Sequence, residues 1–101
     1  MIEEILKSLD KAVVTDVKVY DMRNKTPFYD YSIIASATSS RQAMAAITYL
    51  KDDASLCGLK VRGYSSSDES TWHLIDLGEV VVHIFVGEDR IRYNLDGIYS
   101  S

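Results

Sequence analysis

With a single cysteine among 101 residues, Cys57, the chain cannot form an internal disulfide. A reducing, cytosolic setting is the natural expectation. No histidine or second cysteine lies near Cys57 in sequence, so it reads as a small buried or half-buried residue near a helix end rather than a reactive thiol. Long apolar runs are missing too, and nothing approaches the ~20 apolar residues of a membrane span. Met1-Ile2-Glu3-Glu4-Ile5-Leu6 is acidic and its apolar run is too short for a signal peptide, so a cytoplasmic protein without a membrane partner is expected. Only two histidines occur, His73 and His83, and neither has another His or Cys at ligand spacing, so no metal and no cofactor are expected. Positive charge is in deficit: eleven Lys and Arg stand against fifteen Asp and Glu, a net charge of −4. Without a basic patch or stripe, little direct nucleic-acid binding is expected, and a basic protein partner fits better.

What is present points to one ordinary folded domain over residues 1–101. Apolar residues make up 47% and charged residues 26%, and a split would leave two pieces too small to bury much. Ile2, Ile5, Leu6 and Leu9 recur at helical spacing, which predicts an amphipathic helix from Ile2 to about Lys11. A strand is expected from about Asp16 to Asp21, followed by turn chemistry at Asn24-Lys25-Thr26-Pro27. Asp30 to Ala37 reads as a strand buried on both faces. Ser39 then caps a helix with Gln42 three residues on, ahead of the stripe Ala43, Met44, Ile47, Leu50 and Ala54, and Gly58 marks its stop. Lys60 to Tyr64 predicts a short strand, parallel to the previous one through a right-handed βαβ crossover. The polar run Ser65 to Ser70 is the expected mobile loop. Gly87 to Tyr93 starts a short helix, and Asn94 to Ser101 reads as a tail.

The most informative stretch is Trp72 to Phe85. Two runs rich in β-branched and aromatic residues flank Gly78-Glu79, and Gly in the first central position suits a type II′ hairpin turn. That loop sets the register. Leu77/Val80, Ile75/Val82 and His73/Ile84 fall on one side of the ribbon, while Trp72/Phe85, Leu74/His83 and Asp76/Val81 fall on the other. The first side is almost wholly aliphatic and suits a core. The second mixes aromatic rings with an Asp and a His, which suits a binding face. Together these elements predict an α/β fold: a single two-layer domain, a mixed sheet of about five strands with helices on one face.

Catalytic patterns are sparse. Thr38 to Gln42 lies between a strand and a helix start, where backbone N–H groups hold anions, yet no G-x-x-x-x-G-K-S/T or G-x-G-x-x-G accompanies it. A plain helix cap is the simpler reading. Asp76 and His83 are diagonal neighbours that would pair as acid and base, but no G-x-S-x-G or adjacent Ser supplies a nucleophile. Trp72 and Phe85 would stabilise a hairpin as an aromatic pair, and Trp is also enriched among interface hot spots.

The pattern W-x-L-x-D-x-G-x-V-x-V-H-x-F, formed by Trp72, Leu74, Asp76, Gly78, Val80, Val82, His83 and Phe85, resembles the ribosomal silencing factor family, also called RsfS or Iojap-like. Thr38 to Gln42 matches that family's T-S-S-R-Q, with Ala37 where a Gly is usual. Asp21-Met22-Arg23 resembles its D-x-R, Asp30 to Ile34 its D-Y-F-V-I with Ser32 in place of the aromatic, and Arg90 to Leu95 its closing stretch of Arg, Tyr and Leu. The resemblance implies a reduced nucleotidyltransferase-like fold and a protein that binds the large ribosomal subunit through ribosomal protein uL-fourteen. There it would block joining of the small subunit and silence translation when nutrients run short; a homodimer is a further implication. No D-x-D pair is present for the metals a transferase needs, so no enzyme activity is expected. The expected partner contact is Trp72, Leu74, Asp76, His83 and Phe85. The alternative is a small nucleotide-binding or nucleotidyltransferase-like enzyme using Thr38 to Gln42.

Overall fold

The computed structural model of the chain describes residues 1–100. Helix α1 (Ile2–Lys11) is followed by strands β1 (Thr15–Asp21) and β2 (Tyr31–Ala37), helix α2 (Ser40–Asp53) with a 3-10 turn at Ala54–Cys57, and strands β3 (Gly63–Ser65), β4 (Trp72–Asp76) and β5 (Val80–Val86). Two short helices, α3 (Asp89–Tyr93) and α4 (Leu95–Ser100), close the chain. The five strands form one mixed sheet in the order β1-β2-β5-β4-β3. Only the central pair, β2 and β5, is parallel; β1/β2, β4/β5 and β3/β4 are antiparallel.

The predicted α/β fold with a five-stranded mixed sheet is what forms, and α1 and α2 cover one face as expected, while the short α3 and α4 lie on the other. Ile5 and Leu9 of α1 are wholly buried, as are Ala43 and Ala46 of α2, against Ile33, Ala35, Ile75, Val82 and Ile84 of the sheet. Burying each large aliphatic side chain contributes about 1.5–3 kcal/mol relative to leaving it in water. Ser8 and Lys11 both reach the Asp53 carboxylate, at 2.8 and 2.6 Å, and tie α1 to the end of α2.

Ser39 caps α2 as expected, its Oγ accepting from the Gln42 amide at 3.1 Å. The reciprocal half of a capping box is replaced: Gln42 Oε1 accepts from the Thr38 amide, and its Nε2 donates to the carbonyls of Ala12 and Val13. The helix therefore ends its first turn by holding the α1–β1 corner, where Val13 sits at φ 60. Gly58, in the left-handed region at φ 71, stops the 3-10 turn.

Two expectations need correction. The parallel sense expected of β2 and β3 is found, but the two strands are not neighbours as in a simple βαβ unit. β3 is a three-residue exposed strand at the far edge, running in the same sense as β2 but separated from it by β5 and β4. The physical reason is burial: β5 is buried at six of its seven positions and belongs in the middle of the sheet, whereas an exposed three-residue strand suits an edge. The second correction concerns Asn94 to Ser100, which is not a tail. Asn94 turns left-handed at φ 49 to end α3, and α4 then folds back onto the sheet.

The Ser65 to Ser70 loop is also better tethered than its composition suggests. His73, fully buried on the aliphatic side, uses both ring nitrogens to hold it: Nε2–H donates to the Ser70 carbonyl at 2.9 Å, so Nδ1 accepts from Ser66 Oγ at 2.6 Å. Ser40 adds a bond to the same carbonyl from the start of α2.

Candidate functional site

The hairpin has the register read from the sequence, with Trp72 opposite Phe85, Leu74 opposite His83 and Asp76 opposite Val81. The strand period places these six on the second face, away from α1 and α2. At the tip, Gly78 takes φ 86 and the Glu79 amide donates back to the Leu77 carbonyl at 3.2 Å. The Asp76 carboxylate accepts from the Gly78 amide at 2.8 Å, so one of its oxygens fixes the turn.

The five expected contact residues divide into two layers. Phe85 is fully buried and His83 only 6% exposed, because α3 and α4 lie over them; Tyr93 and Tyr99 supply the covering rings, each 6.1 Å from Phe85 and His83 respectively. Trp72, Leu74 and Asp76 are half-buried and face solvent. Trp72 and Leu74, with Ser65 of β3, line a shallow hollow of about 290 Å³.

Trp72 is held from several sides. Its ring centroid lies 4.9 Å from those of both Phe85 and Tyr93, and its Nε1–H donates to His83 Nδ1 at 3.1 Å. Burial pushes the His83 imidazole down to about 4, so at neutral pH it is uncharged with Nδ1 free to accept. His83 Nε2 and Ser32 Oγ, both buried toward this face, have no hydrogen-bond partner among the described residues. The acid–base reading of Asp76 and His83 is not assembled: Asp76 bonds the hairpin turn and His83 bonds Trp72.

Arg90 organises the cover. Only 9% exposed, it makes a two-pronged pair with Asp96 at 3.0 Å through both Nε and Nη2, and donates from Nη1 to the Asp16 carbonyl and to Ser36 Oγ. Such paired, buried geometry is the strong form of an ion pair. Asp96 also accepts from Tyr20, so one carboxylate joins α3, α4 and β1. Arg90, Tyr93, Asp96 and Tyr99 were not among the expected site residues. The signal available for them was the Arg90 to Leu95 motif, together with an Asp–x–x–Tyr spacing at Asp96 and Tyr99 on one helix side.

In the Thr38 to Gln42 segment the Thr38 and Gln42 amides are taken up by the Gln42 and Ser39 side chains, the bonding of a helix cap. Among the described residues, no three His, Cys, Asp or Glu side chains group as metal ligands, and no helix is long and apolar enough to cross a membrane.

Comparison with known proteins agrees with this geometry. A family model described as "Ribosomal silencing factor during starvation" matches residues 1–101. Ribosomal silencing factor RsfS of Bacillus subtilis is 36% identical over 85 residues, covering 84% of this chain and 72% of that protein. A mouse protein named mitochondrial assembly of ribosomal large subunit protein 1 is 24% identical over 102 residues, covering 98% of this chain and 45% of its own. A Chromobacterium violaceum crystal structure shares the fold with a TM-score of 0.91 at 22% identity, covering 99% of this chain and 83% of that one. The match runs through both the hairpin and its C-terminal cover, and the chain accordingly belongs to the ribosomal silencing factor family, a family of translation regulators rather than enzymes.

Proposed function

We propose that this chain silences ribosomes in the cytoplasm by binding the large ribosomal subunit through ribosomal protein uL-fourteen and sterically blocking the small subunit, so repressing translation under nutrient limitation. The contact is the uncovered strip of the second face: Trp72 as apolar anchor, Leu74 beside it, and the free oxygen of Asp76 for a basic side chain, with His83 and Phe85 as buried supports. The observation that carries this reading is the pre-set indole. A half-exposed Trp locked by two rings and a hydrogen bond loses little freedom on binding, which is what an interface anchor needs. An acidic chain meeting a basic ribosomal protein is also electrostatically consistent. A homodimer would draw on the same apolar strip.

Co-sedimentation with isolated large and small subunits tests this. The wild-type chain is expected with the large subunit alone, and Trp72→Ala should weaken binding by about 2 kcal/mol, roughly 30-fold, with an unchanged circular dichroism spectrum. A wild-type chain that sediments with neither subunit ends the proposal; a folded Trp72→Ala that binds normally removes the assigned contact.

A further inference from the structure

We propose that the groove at the hairpin tip, at the other end of β4 from Trp72, binds a guanine nucleotide. The groove is open, with about 660 Å³ between the Pro27–Asp30 loop, the segment Gly58–Arg62 and the tip Leu77–Glu79. That is within the ~300–1,000 Å³ of small-molecule sites. Its walls are fixed by backbone bonds: the Arg62 amide donates to the Asp76 carbonyl at 2.8 Å, and the Asp30 and Tyr31 amides both donate to the Glu79 carbonyl, at 2.8 and 3.1 Å.

Four charged side chains line it, Lys60, Arg62, Asp30 and Glu79, and none has a side-chain hydrogen bond or ion pair among the described residues. The Arg62 stem runs along the hairpin tip, its Cδ 3.5 Å from where a Gly78 Cβ would stand. Phe28, at the rim, is 79% exposed and stacks on no ring among the described residues.

A simple anion would use the two cations and leave the carboxylates idle, and a simple cation would do the reverse. An uncharged apolar molecule would bury all four charges without a partner, which costs several kcal/mol per ion. A nucleotide engages both cations, one carboxylate and the exposed ring. Its phosphate accepts from Lys60 and Arg62, its flat base stacks on Phe28, and the adjacent N1–H and N2–H of guanine match the two oxygens of a single carboxylate, Asp30 or Glu79. Uracil lacks that paired donor edge. The net charge of −4 restricts this to a local site rather than a broad nucleic-acid surface. The same chemistry is supplied by a free guanine nucleotide or by an unpaired guanine in RNA, and the site meets the Trp72 strip only at Asp76, which bonds Gly78 and Arg62.

The test is isothermal titration of the intact chain with GMP, UMP, inorganic phosphate, and two short RNA strands, one containing guanine and one of uridine alone. GMP is expected to bind saturably, about tenfold more tightly than UMP, and about tenfold less tightly to Phe28→Ala and to Arg62→Ala. Both substituted residues are exposed, and unchanged melting confirms that the variants fold. Binding of the guanine strand without GMP assigns the source to RNA and supports the site. Equal binding of GMP and UMP, displacement of GMP by equimolar phosphate, or no saturation by either GMP or the guanine strand overturns it.

Discussion

On the helix-covered face of the sheet, Ile33, Ala35, Ile75, Val82 and Ile84 meet Ile5, Leu9, Ala46 and Leu50 in an almost wholly aliphatic layer. On the opposite face, Ile34 and Phe85 lie with Tyr20, Trp72, Leu95 and Tyr99 beneath two helices of five and six residues, anchored by Arg90 and Asp96. The same two strands build both layers, with Ile84 on one side and His83 and Phe85 on the other. The aliphatic layer needs only shape and volume, and it supplies stability. The aromatic layer also holds a single half-exposed indole in place through two rings and His83, which the proposed contact would need and folding alone would not.

The largest effect expected from this contrast is at Ile84, fully buried on the aliphatic side. Ile84→Ala leaves a cavity between the sheet and α2 and should lower stability by about 3–4 kcal/mol in urea denaturation. A loss below about 1 kcal/mol would mean that the face collapses around the gap, and the division between a stability face and a recognition face would then have to be abandoned.

Acid sharpens the comparison, because the aromatic layer holds His83 and the Arg90–Asp96 pair, whereas on the aliphatic side only His73 titrates in this range. Burial holds the His83 imidazole near 4, against 6.5 in the unfolded chain. Between these values the unfolded chain takes up a proton that the folded chain refuses, so the stabilisation is complete above the unfolded value and declines as pH falls. The loss reaches roughly 3 kcal/mol below about pH 4. Asp96 acts with the same sign at lower pH, since hydrogen bonds from Arg90 depress its carboxyl and its contribution disappears as it is protonated. His73, lowered by burial behind the serine loop, adds a share from the other side of the sheet. Urea midpoints for wild type and His83→Gln at pH 7 and pH 4.5 separate these shares. The variant should lose less stability on acidification than the wild type, and equal losses would show that His83 is not the titrating group.

How much of this could be read from the chain follows from what is local. The α1 stripe, the Ser39 cap, the Gly58 stop and the hairpin register rest on spacings of two to four residues, and each is found where the pattern put it. Strand neighbours are not local. β2 and β3 flank α2 in sequence, yet β2 pairs with β5, because the sheet orders its strands by how much of each must be buried. The layering of the site was hidden for a related reason. Alternation placed Trp72, Leu74, Asp76, His83 and Phe85 on one face, and α3 was legible as a short helix, but α4 read as a tail and neither helix is long enough for its period to show which face it covers, so their cover over His83 and Phe85 was not legible. The serine loop looked mobile because its composition is polar; its order comes from one buried histidine seven residues from Ser66.

The smallest stability effect belongs to Leu74, and for that reason it is the cleanest probe of the second face. Leu74 pairs with His83 across the hairpin but is half-exposed, and it makes none of the ring contacts or hydrogen bonds that hold Trp72. Leu74→Ala should therefore cost less than about 1 kcal/mol of folding stability, unlike Ile84→Ala ten residues on. If the uncovered strip is the docking surface, the same substitution still weakens co-sedimentation with the large subunit, because the hollow between Trp72 and Ser65 loses one wall. Trp72→Ala cannot make that distinction alone, since it also removes the indole that packs on Phe85 and Tyr93. A Leu74→Ala chain with wild-type stability and wild-type ribosome binding would move the contact elsewhere on the face, whereas wild-type stability with weakened binding would separate recognition from folding at a single side chain.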